Sequence, residues 1–251
     1  MSEVPEAAAS GGGWRLLVHE SLPSTSDLLK DLAVRGEPGG LAVVARRQTA
    51  GRGQHGRSWE SPPGNLYLSI LLRPRESPRT LPQWGLLLAV ALADTLAPLL
   101  PEPGALRLKW PNDLLIDGAK LAGILVEGGT DATGNPWLVV GIGVNLAAAP
   151  EVPGRAVTSM QAAGAEPQEP EAVARSLLAS LDRWATRRHL DGFAAVRAAW
   201  LARGPSLDAT LTVRGRNGEV SGRFQGLSED GALLLGTGGR VHAVVAGEVL
   251  G

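Results

Sequence analysis

The amino-acid sequence predicts an α+β fold, a mixed and largely antiparallel sheet flanked by helices, with a small β-barrel at the C-terminus. Two observations carry this expectation. Residues 114–116 and 120–127 are strand-like runs flanking Asp117-Gly118, the dipeptide of a tight hairpin, so turns rather than crossover helices join the central strands. Beyond Pro205 the texture changes to short β-branched or leucine-rich runs separated by Asn217-Gly218, Asp230-Gly231 and Gly238-Gly239, the spacing of a small all-β unit. The expected organisation is a flexible tail over residues 1–13, a main domain over 14–204 and the barrel over 205–251.

The individual elements follow in chain order. Residues 1–13 are acidic and rich in Ala, Gly and Ser, without the basic and apolar regions of a signal peptide. Residues 14–19 form the first short strand. Ser24-Thr25-Ser26 supplies hydroxyls for a helix N-cap; Leu28, Leu29 and Leu32 follow on the helix, and Gly36 stops it. Residues 41–45 read as a buried strand and 65–73 as a longer alternating one. Pro82, tolerated in a first helical turn, opens an apolar helix that ends before Pro98. Residues 106–110 lead into the turn Pro111-Asn112-Asp113. The hairpin comes next, and then a strand over 137–145 interrupted by Gly141 and Gly143, where a ligand or second backbone can approach closely. Residues 147–169 are rich in Pro, Ala and Gly and read as a surface loop with room for one short helix. Pro170 opens a helix carrying Val173, Leu177, Leu178, Leu181 and Trp184 at helical spacing, and a second helix ends near Gly204.

Composition removes several function classes. Among 251 residues, 24 Lys and Arg stand against 25 Asp and Glu, a net charge of −1. Phosphate binding must therefore come from local cation placement, not from a basic surface, and nucleic acid is not an expected partner. The absence of cysteine removes disulfides, thiolate zinc sites and thioester nucleophiles. His19, His55, His189 and His242 show no metal-ligand spacing. Ser24, Ser58 and Ser61 lack a His/Asp constellation, which disfavours a triad hydrolase. The longest apolar run, residues 86–93, is interrupted by Asp94 and too short to span a bilayer, so a cytoplasmic location is expected.

Two segments carry candidate chemistry. Gly51-Arg-Gly-Gln-His-Gly56-Arg57-Ser58 satisfies the spacing of both a dinucleotide fingerprint and a P-loop. Both motifs need a helix immediately afterwards to present its N-terminal amides to phosphate, and Ser61-Pro62-Pro63-Gly64 denies one. What is left is a glycine loop in which backbone amides and two arginines converge on an anion. The alternatives are a solvated surface loop or a minor-groove arm, the latter disfavoured by the charge balance. The second segment, Lys109-Trp-Pro-Asn-Asp113, places a cation at a strand end before a fixed turn, and Lys120 begins the returning strand. A hairpin brings Lys109, Asp113 and Lys120 to one mouth of the sheet, a set suited to polyphosphate and metal. Asn112 and Asp113 serve equally well as turn caps. Lys120 is harder to explain away, since lysine is seldom placed on an apolar strand. Trp110, Trp184 and Trp200 read as packing.

Taken together, six segments resemble the biotin protein ligases: Ser24-Thr25-Ser26, Gln48-Thr-Ala-Gly-Arg-Gly-Gln-His-Gly-Arg57-Ser-Trp59, Asn65-Leu-Tyr-Leu-Ser69, Lys109-Trp-Pro-Asn-Asp113, Lys120-Leu-Ala-Gly-Ile-Leu125 and Gly141-Ile-Gly-Val-Asn145. The resemblance spans nearly the whole chain from Trp14 onward, in the family's order. It implies the class II aminoacyl-tRNA synthetase-like fold of biotin and lipoate ligases with an SH3-like C-terminal barrel. It also implies a two-step activity. Biotin and Mg-ATP give biotinyl-5′-AMP and pyrophosphate, and the biotinyl group then passes to a lysine of a biotin carboxyl carrier protein. Only about a dozen residues precede the first strand, so the form expected is the monofunctional one without a DNA-binding domain; a homodimer is compatible with it.

By position, the resemblance implies that Ser24, Thr25, Ser26 and Gln48 contact the biotin ring, while Arg52, Gly53 and Gln54 close over the adenylate. Gly123, Leu125 and Gly141 would line the channel for the biotin tail. Arg52, Arg57, Lys109, Asn112 and Asn145 would face ATP and its phosphates. Lys120 would bridge the biotin carboxylate and the α-phosphate. With Arg52 and Asp113 it completes the expected catalytic set, Asp113 orienting magnesium or helping to deprotonate the acceptor lysine. The adenine contact is expected within residues 157–161. Ser26 stands where many members have asparagine, and Gln54 where arginine is common, which implies looser retention of the adenylate. The rival readings are a lipoate or octanoate ligase of the related fold and a non-catalytic anion-binding module.

Overall fold

The computed structural model describes residues 8–9, 13–74, 81–215 and 218–250. Its main sheet has eight strands: β1 (Ala8–Ala9), β2 (Arg15–His19), β3 (Leu41–Ala45), β4 (Leu66–Leu72), β5 (Leu106–Lys109), β6 (Asp113–Ile116), β7 (Ala119–Thr130) and β8 (Pro136–Val144). Their order is β1-β2-β3-β4-β8-β7-β6-β5. β2 and β3 run parallel and every other pairing in this sheet is antiparallel. The parallel pair is the one joined through a helix, α1 (Thr25–Val34), because a parallel neighbour needs a crossover and an antiparallel one only a turn. The mixed, largely antiparallel sheet is the one expected.

Local chemistry accounts for these elements. Ser24, in extended conformation, accepts from Asp27 N and caps α1. Asp117 and Gly118 both have positive φ, 50° and 78°, between the paired Ile116 and Ala119, which is the backbone of a two-residue primed turn. Helix α2 (Leu81–Leu96) is apolar almost all round, with eleven buried residues, and packs against β7 and the helices α3 (Pro170–Asp191) and α4 (Phe193–Leu201). With the 3₁₀ turn that follows it, over residues 81–99, it is long and apolar enough to cross a membrane, yet two-thirds of the relevant window is buried within the fold.

The C-terminal strands are β9 (Thr210–Gly215), β10 (Gly218–Leu227), β11 (Leu233–Thr237), β12 (Arg240–Val244) and β13 (Glu248–Val249). They pair antiparallel in the order β12-β11-β10-β9-β13. Among the described residues the pairing does not close, so the expected barrel is an open five-stranded sheet. β13 is two residues long and bonds only β9. The core runs without a break from the main sheet through α2 and α4 into Val213, Phe224, Leu233 and Leu235.

One expectation meets a different outcome, and others fall largely outside the described residues. Residues 147–169 contain turns but no helix. Their backbone is drawn to the main sheet, Lys120 N donating to Ala156 O and Thr158 N to Lys120 O, both at 2.9 Å. The expected tail over residues 1–13 falls mostly outside the described residues, but Ala8 and Ala9 pair with Leu16 and Arg15 as a strand. The turn residue Asn217 and the last residue, Gly251, also lie outside the described residues.

Candidate active site

One cavity of about 320 Å³ opens between the glycine-rich loop, the start of α1, the β6–β7 hairpin, β8 and the C-terminal sheet. The residues expected for catalysis, biotin and ATP phosphates all line it: Ser24, Thr25, Ser26, Gln48, Arg52, Gly53, Gln54, Arg57, Lys109, Asn112, Asp113, Lys120, Gly123, Leu125, Gly141 and Asn145.

Its floor is built by strand register. Gly123 of β7 stands opposite Asp113 of β6 on one side and Gly143 of β8 on the other, and Leu125 stands opposite Gly141. Side chains would fill this floor. A Cβ on Gly143 would lie 2.5 Å from the Trp59 indole, one on Gly141 would lie 2.6 Å from Ser26 Oγ, and one on Gly123 would lie 3.2 Å from both Lys120 Nζ and Trp59. The three glycines thus leave a slot bounded by Ser26 at one end and by Trp59 and Lys120 at the other.

The Ser26 end is polar, with Thr25, Ser26 and Ser69 buried and Gln48 partly so. Gln48 Oε1 accepts from Thr25 N at 2.9 Å and from Thr25 Oγ1 at 3.1 Å. Ser69 Oγ lies 2.7 Å from Thr25 Oγ1 and 2.9 Å from Ser26 Oγ. Three hydroxyls and an amide therefore share one network whose protons can rearrange to suit a ligand.

The other end carries charge. Lys120 Nζ lies 2.5 Å from Asp113 Oδ1 and 5.7 Å from the centre of the Trp59 ring. Both its N–H and its C=O are bonded by the 147–169 segment, so its side chain is the part free to follow a ligand. Lys109 is close enough to feel Asp113, Glu248, Arg155 and Lys120. Burial, opposed by the two carboxylates, holds its ammonium below the ordinary lysine range. Arg57 grips Glu248 with both terminal nitrogens, at 2.7 and 3.2 Å, and Arg155 bonds the same carboxylate. The hydrogen bond from Arg57, with burial opposing it and both arginines adding attraction, pulls the Glu248 carboxyl down to about 2.

Several residues take places the sequence did not specify. Arg57, expected to face phosphate, faces Glu248. The side-chain amides of Asn112 and Asn145, expected beside ATP, donate to the carbonyls of Ile124 and Thr158. Asn112 is thus used as the turn fastener that was its alternative reading, whereas Asp113 is engaged with Lys120. Of residues 157–161, Val157 lines the cavity while Ser159 and Met160 are buried in packing. The sequence did not mark Trp59, Arg155 or Glu248 as site residues, and Gly143 only as a point of close approach. Trp59 and Gly143 sit inside quoted motifs, a signal that was available. Arg155 and Glu248 lie in segments without a motif, 93 residues apart, and only the fold joins them.

A slot with a polar closed end and a cationic mouth, on a mixed sheet with a C-terminal β-sheet, defines an acyl-activating ligase fold. The chain matches the Biotin/lipoate A/B protein ligase family over residues 18–145 and the Biotin protein ligase C terminal domain over residues 210–250. It is 38% identical over 220 residues to a biotin–[acetyl-CoA-carboxylase] ligase of Paracoccus denitrificans, covering 85% of this chain and 91% of the relative. It is 34% identical to a ligase of the same name from Mycobacterium tuberculosis, covering 96% and 91%. The structure superimposes on a biotin protein ligase from Aquifex aeolicus in complex with biotin and ATP with a TM-score of 0.79 at 30% identity, covering 94% of this chain and 97% of that one. A Leishmania major biotin protein ligase in complex with biotinyl-5-AMP gives 0.63 at 25%, covering 92% and 98%. The chain belongs to the biotin protein ligase family.

Proposed function

We propose that this protein is an ATP-dependent biotin protein ligase, with residues 14–204 as the catalytic unit and 205–251 as a small C-terminal unit that closes the cavity through Glu248. The observation that carries the reading is the polar network of Thr25, Ser26, Gln48 and Ser69 at the buried end of the slot, opposite Lys120. A ureido ring offers donors and acceptors to that network. The apolar end of lipoate or octanoate would leave it unpaired, and a site built for hydrogen bonds discriminates strongly against a ligand that cannot make them.

The chemistry asks for positioning and charge neutralisation, with no covalent enzyme nucleophile. A biotin carboxylate oxygen attacks the α-phosphorus of ATP, the bond to the bridging oxygen of the β-phosphate breaks, and pyrophosphate leaves. Lys120, at the end of the slot, is placed to bridge carboxylate and α-phosphate. Lys109, Arg52 and Arg57 supply further cations, Arg57 once Glu248 yields it. In the second step the acceptor amine attacks the acyl carbon, the C–O bond to phosphate breaks, AMP leaves and the amine loses a proton. Free lysine, with a pKa of about 10.4, is a poor nucleophile at neutral pH, and Asp113 is the carboxylate we assign to receive that proton. Among the described residues no cluster of three His, Asp or Glu could hold a metal, and Asp113 is already paired with Lys120. Magnesium would arrive on the ATP phosphates and supply neutralisation of their charge; orienting it is the alternative role for Asp113. The acceptor is a biotin carboxyl carrier domain and the location cytoplasmic, where ATP is supplied; no nucleic acid takes part, and a homodimer is compatible with the fold.

The test is pyrophosphate release with Mg-ATP and hydroxylamine, comparing biotin, lipoate and octanoate, with Lys120→Ala as control. Biotin-dependent release that the variant loses is expected. Release with lipoate or octanoate alone assigns the other branch of the family, and release with none overturns the reading.

A further inference from the structure

The glycine-rich loop is tied to the start of α1 by a chain of charges of which the reaction above uses only Arg52. Arg52 Nε lies 3.0 Å from Asp27 Oδ2, and the other oxygen of Asp27 takes Lys30 Nζ at 3.0 Å. Lys30 also reaches Glu127 Oε1 on β7 at 2.8 Å. Asp27 is fixed from its own side, its amide donating to Ser24 Oγ at 3.3 Å in the first helical turn, where a carboxylate is also favoured by the helix field. The series Glu127, Lys30, Asp27, Arg52 thus runs from a core strand, through the helix that supplies Thr25 and Ser26 to the cavity, to the tip of the loop above it. Within the loop, Gly53 N donates to Arg57 O and Trp59 N to Gly51 O, so it moves as a small hairpin rather than residue by residue. A tether on Arg52 acts on all of it.

We propose that Asp27 is a positioning residue that straps the glycine-rich loop over the cavity through Arg52, with Lys30 and Glu127 anchoring the strap to α1 and β7. The strap is built to release. The Arg52 and Asp27 side chains are 52% and 35% exposed, and an ion pair this wet biases a loop by a factor of about two to five rather than locking it. It holds Arg52 at the rim beside Ser26, so the loop stays registered above the slot while still opening for ligand entry. The consequence for the reaction rests on the ligase reading: the strap slows escape of the acyl-adenylate before the acceptor arrives.

Two measurements on the full chain test this. The first is tryptic cleavage after Arg52 and Arg57 in the ligand-free protein, across a range of salt concentrations. Asp27→Asn is expected to be cut about two- to fivefold faster than wild type and to show a flatter salt dependence, because the screened pair is already gone; Asp27→Glu regains protection. The second is dissociation of preformed biotinyl-5′-AMP, expected to be faster in Asp27→Asn by a similar factor. Equal or slower cleavage and release in Asp27→Asn overturns the strap. A lowered melting temperature with wild-type salt dependence of cleavage overturns it too, since that marks Asp27 as merely structural. If wild type forms no biotinyl-5′-AMP the ligase reading fails, and the cleavage series still decides the strap.

Discussion

Gly143→Ala adds one methyl group to the floor of the slot, and the structure fixes what that methyl meets. The new Cβ would lie 2.5 Å from Trp59 Cε2, 2.6 Å from Cζ2 and 2.8 Å from Nε1. Carbon atoms settle at about 3.5–4.0 Å, so the indole must retreat by roughly 1 Å. The ring also covers Gly123 on the neighbouring strand, where a Cβ would lie 3.2 Å from it, so the indole retreats from the floor into the slot. Gly143 sits in an extended ladder between Tyr67 and Gly123, and alanine is acceptable to that backbone. The cost therefore comes from overpacking, about 1–3 kcal/mol of stability. The larger effect is on ligand. A displacement of about 1 Å beside Lys120 is expected to lower kcat/KM for biotin by about 100-fold. Calorimetric titration with biotin and pyrophosphate release measure the two parts, and Trp59→Phe in the Gly143→Ala background is expected to recover some of each by making room. Gly104→Ala, where a Cβ meets nothing within 4 Å, serves as the control. Wild-type biotin affinity and turnover in Gly143→Ala would refute the assignment of this floor to the substrate channel.

Further outcomes follow from the same geometry. Glu248, with its carboxyl at about 2 instead of the ordinary 4.5, contributes stability that is complete above pH 4.5 and lost as pH falls toward 2. After discounting for its half-exposed arginine partners, Glu248→Gln is expected to cost about 1–2 kcal/mol at pH 7, with the gap to wild type closing between pH 4.5 and 2 in chemical denaturation. A constant gap across that range counts against the clasp. Gln54→Arg is expected to slow dissociation of biotinyl-5′-AMP by restoring a cation to the loop, and equal rates would dismiss the idea that this position tunes retention. Ser24→Ala removes the cap of α1 and is expected to lower stability by about 1 kcal/mol and to weaken biotin binding together with it, because the same turn presents Thr25 and Ser26. Lost binding without lost stability would mean that Ser24 acts on the ligand directly.

The kind of sheet and most element bounds were legible because the signals are local, whereas the strand order was not read. Asp117-Gly118 specifies its turn by φ alone, Ser24 its cap by one hydroxyl, and the pattern of α2 its burial. The polar network was legible only in part. Thr25, Ser26 and Gln48 stand in quoted motifs, and Ser69 closes the block Asn65-Leu-Tyr-Leu-Ser69, but nothing in the sequence says that Ser69 Oγ meets both Thr25 and Ser26. That meeting depends on how α1 sits across β4. The Arg57, Glu248 and Arg155 cluster was not legible at all. Its members come from the loop, the last strand and a segment whose composition suggested only a surface turn, and charge partners at such separations carry no periodicity to read. Asn112 shows the converse: its type fits a phosphate site, while its amide is used inside the turn by the Ile124 carbonyl.

The parts of the cavity differ in how they are held, and the difference matches two demands of acyl-adenylate chemistry. The floor must not move, since three glycines leave slots that shifts of well under an ångström would close. It is made from the central strands β7 and β8, paired over nine successive positions, with both the N–H and the C=O of Lys120 bonded to the 147–169 segment. The roof must move, since substrates enter and an acceptor lysine must later reach the acyl carbon. It is made from a glycine loop fastened by exposed charge pairs, Arg52 to Asp27 and Arg57 to Glu248. Arg57 is also a cation suited to the ligand, so an incoming phosphate competes directly with Glu248, whereas Arg52 keeps its tie to Asp27. Ligand binding and loop rearrangement are then one exchange of ion pairs, with little net change in charge burial. A loop fastened instead by apolar contacts would have to expose them each time it opened.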